Sequence, residues 1–165
     1  MLTIDENLHP DIAPLAWLIG RWEGAGVVGY PTMEESANFG QELVVEHDGR
    51  PFLSWTSRTW ILDESGQKVR PSASESGYWR AAGEGEVELL LAHPTGIVEM
   101  YYGTVEPARI QVRTDSVVRS PSAKEYTAAA RMYGLVGGNL MWVMDMAAMG
   151  ETTTSHVSAE LKRVG

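Results

Sequence analysis

Residues 140–148 read LMWVMDMAA, the longest alternation of apolar side chains in the chain. Every second residue from Leu140 onward is apolar, and a period of two predicts a β-strand with one face toward a protein interior. The run follows Gly137-Gly138-Asn139, a glycine-rich turn of the kind that joins neighbouring antiparallel strands. This stretch therefore predicts one strand of an antiparallel sheet.

The same pattern recurs upstream. The odd-numbered residues from Val87 to Leu91 are apolar and share one face, and the even-numbered residues from Val98 to Thr104 share a face in the next run. Turn signals lie between such runs at Asp48-Gly49, Asp63–Gly66, Ala82–Gly85 and Pro94–Gly96. Runs that recur about every ten to fifteen residues predict consecutive antiparallel neighbours, and the lack of crossover helices argues against a parallel sheet.

One segment, His9–Leu18, is predicted to be helical. Pro10 stands at an early helical position, apolar residues follow at positions 12, 15 and 18, and Pro14 keeps the helix short. We expect a single domain over residues 1–165. Its predicted fold is all-β: one up-and-down antiparallel β-barrel of about ten strands, with the short N-terminal helix plugging one end.

Composition narrows the classes of partner and chemistry. The chain of 165 residues has a formal charge of −9, so nucleic acid and membrane surfaces are not expected partners. It has no cysteine, which excludes disulfides, Cys-ligated zinc, iron–sulfur clusters and thiol nucleophiles. The N-terminus carries neither a basic region nor a long apolar run, so we expect a cytoplasmic protein. The sequence leaves the oligomeric state open, with a homodimer among the candidates.

A barrel of this size has an interior that side chains just fill or that one small ligand occupies. Several of the eight methionines are candidates for that interior, and methionine adapts to an irregular guest. Composition alone does not separate a ligand cavity from an ordinary methionine-containing core.

The most distinctive stretch, residues 20–32, reads GRWEGAGVVGYPT. Gly20, Gly24 and Gly26 share one face of the first strand with Trp22. Glycines inside a strand mark a bend or the close approach of another group. Spacing alone fits two interpretations equally: a flat ligand lying against the strand, or a strand that curls at a barrel corner.

This stretch resembles the signature of the nitrobindin family of haem-binding β-barrels. The resemblance continues through residues 75–78 (ESGY), 95–99 (TGIVE) and 123–125 (AKE), and ends in 152–157 (TTTSHV). It implies a ten-stranded barrel, ferric haem b as the cofactor, reversible nitric oxide binding and isomerisation of peroxynitrite to nitrate. The implied small-molecule partners are therefore peroxynitrite and nitric oxide.

The resemblance also implies which residues hold the haem. His156 matches the family's axial histidine and is the implied iron ligand and catalytic residue. Thr32 and Lys124 match residues that touch the haem, and either a hydroxyl or an ammonium group suits a propionate. The signature residues Gly20, Trp22, Gly24 and Gly26 complete the expected cofactor-binding set.

The histidines pose two questions that the sequence leaves open. His156 shares parity with polar residues of the last strand, so it points inward only if a bulge resets the register or if it precedes the regular strand. For His9, His47 and His93 we expect solvated or capping roles. Some nitrobindins carry a distal histidine just before the ESGY motif. Here residues 72–74 read SAS, so no proton-transfer group over the iron is expected unless another loop supplies one.

Two other functional classes fit the same barrel. The first is a carrier of a fatty acid or another apolar ligand, in which Arg58, Arg113 or Arg131 would bind a carboxylate. The second is a nitric oxide sensor or haem store without relevant catalysis.

Overall fold

The computed structural model describes residues 6–29, 36–148 and 154–165. Its strands form one closed antiparallel barrel in the order β1-β10-β9-β8-β7-β6-β5-β4-β3-β2, which confirms the predicted up-and-down topology. The strands are β1 (Gly20–Val28), β2 (Ala37–Glu46), β3 (Phe52–Leu62), β4 (Lys68–Gly83), β5 (Glu86–His93), β6 (Ile97–Glu106), β7 (Arg109–Arg119), β8 (Tyr126–Val136), β9 (Asn139–Ala148) and β10 (Thr154–Arg163).

A short 3₁₀ helix, Pro10–Leu18, closes one end of the barrel as predicted. The His9 imidazole caps it by accepting a hydrogen bond from the Asp11 amide at 3.1 Å. Most apolar side chains of its second half, and Ile12 before them, are buried in the barrel core. Trp22 fixes the helix to β1, because its indole Nε1 donates to the carbonyl oxygen of Leu18 at 2.9 Å. No helix in the described part of the chain has the length and apolar character needed to cross a membrane.

The inner face of each strand follows the predicted alternation, with one informative exception. In β5 the odd-numbered positions are buried, and in β9 Trp142 and Met144 are buried. In β6 the even-numbered residues do share a face, but that face is the outside: Val98 is 55% exposed. The inner face of β6 instead carries the buried side chains of Glu99 and Tyr101.

The glycines of β1 are explained by the approach of a neighbouring strand. A Cβ atom at Gly24 would overlap the carbonyl oxygen of Glu160 in β10 and lie 2.8 Å from the Cα atom of Leu161. A Cβ atom at Gly26 would lie 2.6 Å from the Cβ atom of Ala159. The seam between β1 and β10 is therefore too close for inward side chains at these two positions.

Candidate functional site

A cavity of about 540 Å³ occupies the end of the barrel opposite the helix, within the roughly 300–1,000 Å³ typical of small-molecule and cofactor sites. It lies where odd-numbered strands end and even-numbered strands begin, whereas the helix precedes the start of β1. Its apolar lining includes Val28, Phe39, Ala73, Ile97, Trp142, Met144, Met146 and Val157. The interpretation of the interior as a ligand cavity is therefore supported, and two methionines line it.

His156 is one of the residues that line this cavity, and a β-bulge brings it there. Ser155 pairs with Asp145 of β9, but Val157 pairs with the adjacent Met144, so His156 is the extra residue of the bulge. One extra residue changes the parity of the strand. His156 and Val157 consequently both border the cavity, which settles the parity question in favour of the bulge.

The His156 ring is oriented by the end of β1. Its Nδ1 atom lies 2.8 Å from the carbonyl oxygen of Gly29, and the Gly29 amide donates to the His156 carbonyl at 2.8 Å. Because a carbonyl oxygen only accepts, Nδ1 carries the proton and the lone pair of the ring is on Nε2. Burial lowers the pKa of His156, which favours the neutral imidazole that ligates metals.

Lys124 is exposed at the rim of the same cavity, in the connection between β7 and β8. The backbone pairing of these two strands covers Arg109–Arg113 and Ala130–Gly134 and does not extend along β7 toward this rim. Thr32 lies outside the described residues. The predicted binding roles of Lys124 and Thr32 stay predictions.

The signature residues of β1 are not among those that line the cavity. Trp22 is buried at the helix end, where the Arg163 guanidinium lies 4.1 Å from its ring centroid. Gly24 and Gly26 face the β10 backbone. Gly20 has a φ of 137° at the start of the strand, which suits a residue without a side chain. Their assignment as cofactor-binding residues stays a prediction, for which the observed contacts provide a structural alternative.

An ion pair, Arg131 with Glu75, crosses the barrel beneath the cavity. Arg131 Nη1 and Nη2 each lie 2.8 Å from a carboxylate oxygen of Glu75. The guanidinium also donates to the hydroxyls of Tyr101 at 3.1 Å and Tyr133 at 3.0 Å. Burial raises the pKa of Glu75, but the Arg131 charge and hydrogen bonds outweigh burial and hold it below its ordinary value. The floor of the cavity is therefore polar and internally paired.

This pairing bears on the carrier hypothesis. Arg58 and Arg113 are exposed on the outside of the barrel. Arg131 is buried and borders the cavity, but its bidentate partner is already Glu75. A fatty-acid carboxylate would have to compete with that pair for the guanidinium.

A second carboxylate, Glu99, lies beside the pair and is only 1% exposed. Its Oε2 atom accepts hydrogen bonds from the hydroxyls of Tyr101, at 2.8 Å, and Tyr126. Its Oε1 atom lies 2.5 Å from Nε2 of His93. Burial raises the pKa of Glu99, but the hydrogen bonds and the nearby Arg131 charge outweigh burial and lower it overall.

The prediction of a solvated or capping role is therefore wrong for His93. Its side chain is 16% exposed, it is paired with Glu99 and it lines the cavity. Ser72 and Ala73 also line the cavity, so the segment that lacks the family's distal histidine does reach the site. His9 caps the helix, and His47 accepts a hydrogen bond from the Gly49 amide at 3.2 Å in a turn, as expected.

A family model described as a THAP4-like, heme-binding beta-barrel domain matches residues 11–163. The chain belongs to this haem-binding barrel family. It is 51% identical over 160 residues to a protein named peroxynitrite isomerase from Nocardioides sp., with 97% of both chains covered. It is 49% identical over 167 residues to a ferric nitrobindin-like protein of Kineococcus radiotolerans, with 93% of both chains covered. The resemblance to nitrobindins is thereby confirmed.

A solved structure agrees with the fold of this haem-binding barrel family. The crystal structure of Rv2717c from M. tuberculosis matches with a TM-score of 0.86 at 36% identity, and covers 96% of this chain and 99% of that chain. The cavity fits the cofactor that the family name implies. A porphyrin supplies four of its iron's ligands, so one neutral imidazole such as His156 suffices on the protein side. Apolar walls suit the macrocycle, and the Lys124 ammonium suits a propionate.

Proposed function

We propose that the chain binds ferric haem b through Nε2 of His156, binds nitric oxide and isomerises peroxynitrite to nitrate. The observation that carries the proposal is the bulge that brings His156, with Nδ1 on the Gly29 carbonyl, to the wall of an apolar cavity. Membership of a haem-binding family supports the cofactor. The relatives named peroxynitrite isomerase support the reaction.

Bound haem would supply a Lewis acid that can bind an anion or nitric oxide. The part of His156 is to fix the haem iron from one side of the cavity. Its hydrogen bond to the Gly29 carbonyl holds the ring in the tautomer with the lone pair on Nε2 and raises the basicity of that atom.

The walls of the cavity suit an isomerisation. Peroxynitrite and nitrate contain the same atoms, so the site need not admit a co-reactant or an external electron donor. Trp142 and Met144 line the cavity with apolar surface, which would exclude water and hold a small reactant in place. Trp142 is itself fixed, because its indole Nε1 donates to Gln41 at 2.9 Å.

A haemin titration tests the cofactor part of the proposal. Wild-type protein should bind one haem per chain and give the absorption spectrum of ferric haem with a histidine ligand. His156→Ala should lose tight binding or replace that spectrum. His47→Ala, which removes a histidine from a turn outside the cavity lining, is the matched control and should behave as wild type. An unchanged spectrum and haem-loss rate in His156→Ala would contradict the ligand assignment.

A further inference from the structure

His93 and His156 face the same cavity from opposite walls. In the ring of ten strands, β5 and β10 are separated by four strands in either direction. His93 is the last residue of β5 and His156 lies near the start of β10, so both stand at the open end of the barrel. A group held by His156 would therefore have His93 on the opposite wall of the cavity.

The tautomer of the His93 ring is set by Glu99. Because the pKa of Glu99 is lowered, its carboxylate is ionised at neutral pH and only accepts hydrogen bonds. Nε2 of His93, 2.5 Å from Oε1, must then be the donor. In the neutral ring the lone pair is on Nδ1. Protonation of Nδ1 would leave the hydrogen bond from Nε2 to the Glu99 carboxylate in place.

Glu99 does not depend on His93 for its hydrogen bonds. Oε2 already accepts from Tyr101 and Tyr126, and Arg131 Nη2 lies 3.9 Å from Oε1. A neutral apolar residue at position 93 would leave the carboxylate with those partners. Glu99 is therefore the anchored member of the pair, and His93 is the member that borders the cavity.

We propose that His93 is a catalytic residue that exchanges a proton with the ligand at Nδ1, and that Glu99 is its positioning residue. The proposal rests on the function proposed above and names a proton acceptor for it. Peroxynitrous acid gives its O–H proton to Nδ1: the O–H bond breaks, an N–H bond forms, and peroxynitrite anion and imidazolium result. No electrons are exchanged with the protein. After nitrate leaves, the imidazolium returns its proton to water.

Charged and titratable side chains from three strands surround this pair. Glu75, Tyr101, Tyr126 and Arg131 approach it from β4, β6 and β8. Burial raises the pKa of Tyr101 and of Tyr126 above the ordinary value, so both hydroxyls keep their protons at neutral pH. Arg131 keeps its charge, because Glu75 outweighs burial and raises its pKa. Within this cluster, Nδ1 of His93 is the ring nitrogen with a lone pair that can accept a proton.

Cyanide and azide distinguish proton acceptance from simple space filling. At neutral pH cyanide is present as neutral hydrocyanic acid and must lose a proton to bind ferric haem, whereas azide is already an anion. In His93→Gln holoprotein the association rate of cyanide should fall by about 10²-fold, since general acid–base groups contribute roughly 10²–10⁴-fold. The association rate of azide should change by less than about threefold, because no proton has to move. His47→Gln is the matched control and should leave both rates unchanged.

Equal changes in the two rates, or no change in the cyanide rate, would overturn the proposal while leaving the haem function intact. Failure of the wild-type protein to bind haem would instead contradict the proposed function. Glu99→Gln should slow cyanide association less than His93→Gln, with the haem spectrum retained, because it disturbs the ring's orientation without removing the ring. An effect of Glu99→Gln on the azide rate alone would contradict a positioning role.

The protonated nitrogen of the His93 ring can also be identified in the wild-type protein, which does not require that the variants fold. Two-dimensional NMR of protein labelled with ¹⁵N-histidine reports which ring nitrogen carries the proton. At alkaline pH we expect His93 to be protonated on Nε2. A ring protonated on Nδ1 could not accept a proton there, and that result would overturn the proposal.

Discussion

At the scale of the residue, a single inserted position decides what the cavity can bind. The bulge at His156 gives β10 one more residue than β9 across the pairs 155–145 and 157–144. It turns a side chain that strict alternation would direct outward into the wall of the cavity. The resemblance of the sequence to nitrobindins identified His156, but alternation alone could only pose the choice between a bulge and a late start of the strand.

Lys124 should contribute modestly to haem retention. It is exposed at the cavity rim, and exposed ion pairs are worth about 0.2–1 kcal/mol. Lys124→Ala should therefore accelerate transfer of haem to an apo-myoglobin trap by no more than about fivefold, the equivalent of that energy. Lys162→Ala, an exposed lysine on β10, is the control. A haem-loss rate for Lys124→Ala equal to that of the control would remove Lys124 from the cofactor-binding set.

Gly26 should matter for stability more directly than for ligand chemistry. Gly26→Val would force side-chain atoms into the Ala159 region of β10 and should lower the free energy of unfolding by about 1–3 kcal/mol. Ala25→Val, at an exposed position on the outside of the same strand, should have little effect. Chemical denaturation of the two variants as apoproteins measures the difference. Equal stabilities would show that the seam between β1 and β10 accommodates the added atoms.

At the level of single strands, the apolar pattern of β6 does not predict the polar cluster on its inner face. Its even-numbered residues are largely apolar and share a face, but that face lies on the outside of the barrel. The inner face places Glu99 and Tyr101 in the barrel. A carboxylate faces the interior only because hydroxyl donors and Arg131, which come from β6 and β8, meet it there. Tyr126 and Arg131 are distant from Glu99 in sequence, so alternation alone could not predict this cluster, although His93 does share the parity of the buried odd-numbered residues of β5.

Breaking the pair formed by Arg131 and Glu75 should be costly. Arg131→Met would leave two buried carboxylates without their cation, and loss of one partner of a buried pair costs about 3–5 kcal/mol. The double variant with Glu75→Leu should be less destabilised than the sum of the two single variants, because no unpaired charge of that pair remains. Denaturation curves of the three variants test this coupling. Simple additivity would argue against an energetically coupled pair.

The same cluster should make the apoprotein sensitive to acid. The folded-state pKa values of Glu75 and Glu99 lie below their ordinary values, so the unfolded chain binds more protons in acid. Their contribution to stability is present above the ordinary glutamate pKa and is lost as pH falls toward the folded-state values. The melting temperature of the apoprotein should decrease as the pH is lowered below about 4.5. The decrease should be less steep in Glu99→Gln. A steeper decrease of the melting temperature in acid for Glu99→Gln would contradict the lowered pKa of Glu99.

In the molecule as a whole, the packed core and the candidate site occupy different parts of the barrel along its axis. The helix and Trp22 close one end, a cluster of Trp55, Trp79 and Tyr133 fills the middle, and the cavity occupies the other end. Apolar alternation and turn spacing sufficed to predict the closed topology and the plug, because both follow from local pattern. The division of the interior into a packed half and a hollow half depends on how inward side chains from different strands meet.

Product analysis tests the roles of His156 and haem and the fate of peroxynitrite in one experiment. Ferric holoprotein should accelerate peroxynitrite decay in stopped-flow experiments in proportion to its concentration, with nitrate accounting for the peroxynitrite consumed. His156→Ala, mixed with the same amount of haemin, should lose that acceleration, and His47→Ala should keep it. Decay at the uncatalysed rate in the presence of wild-type holoprotein, or an unchanged nitrate yield and rate in His156→Ala, would contradict the account.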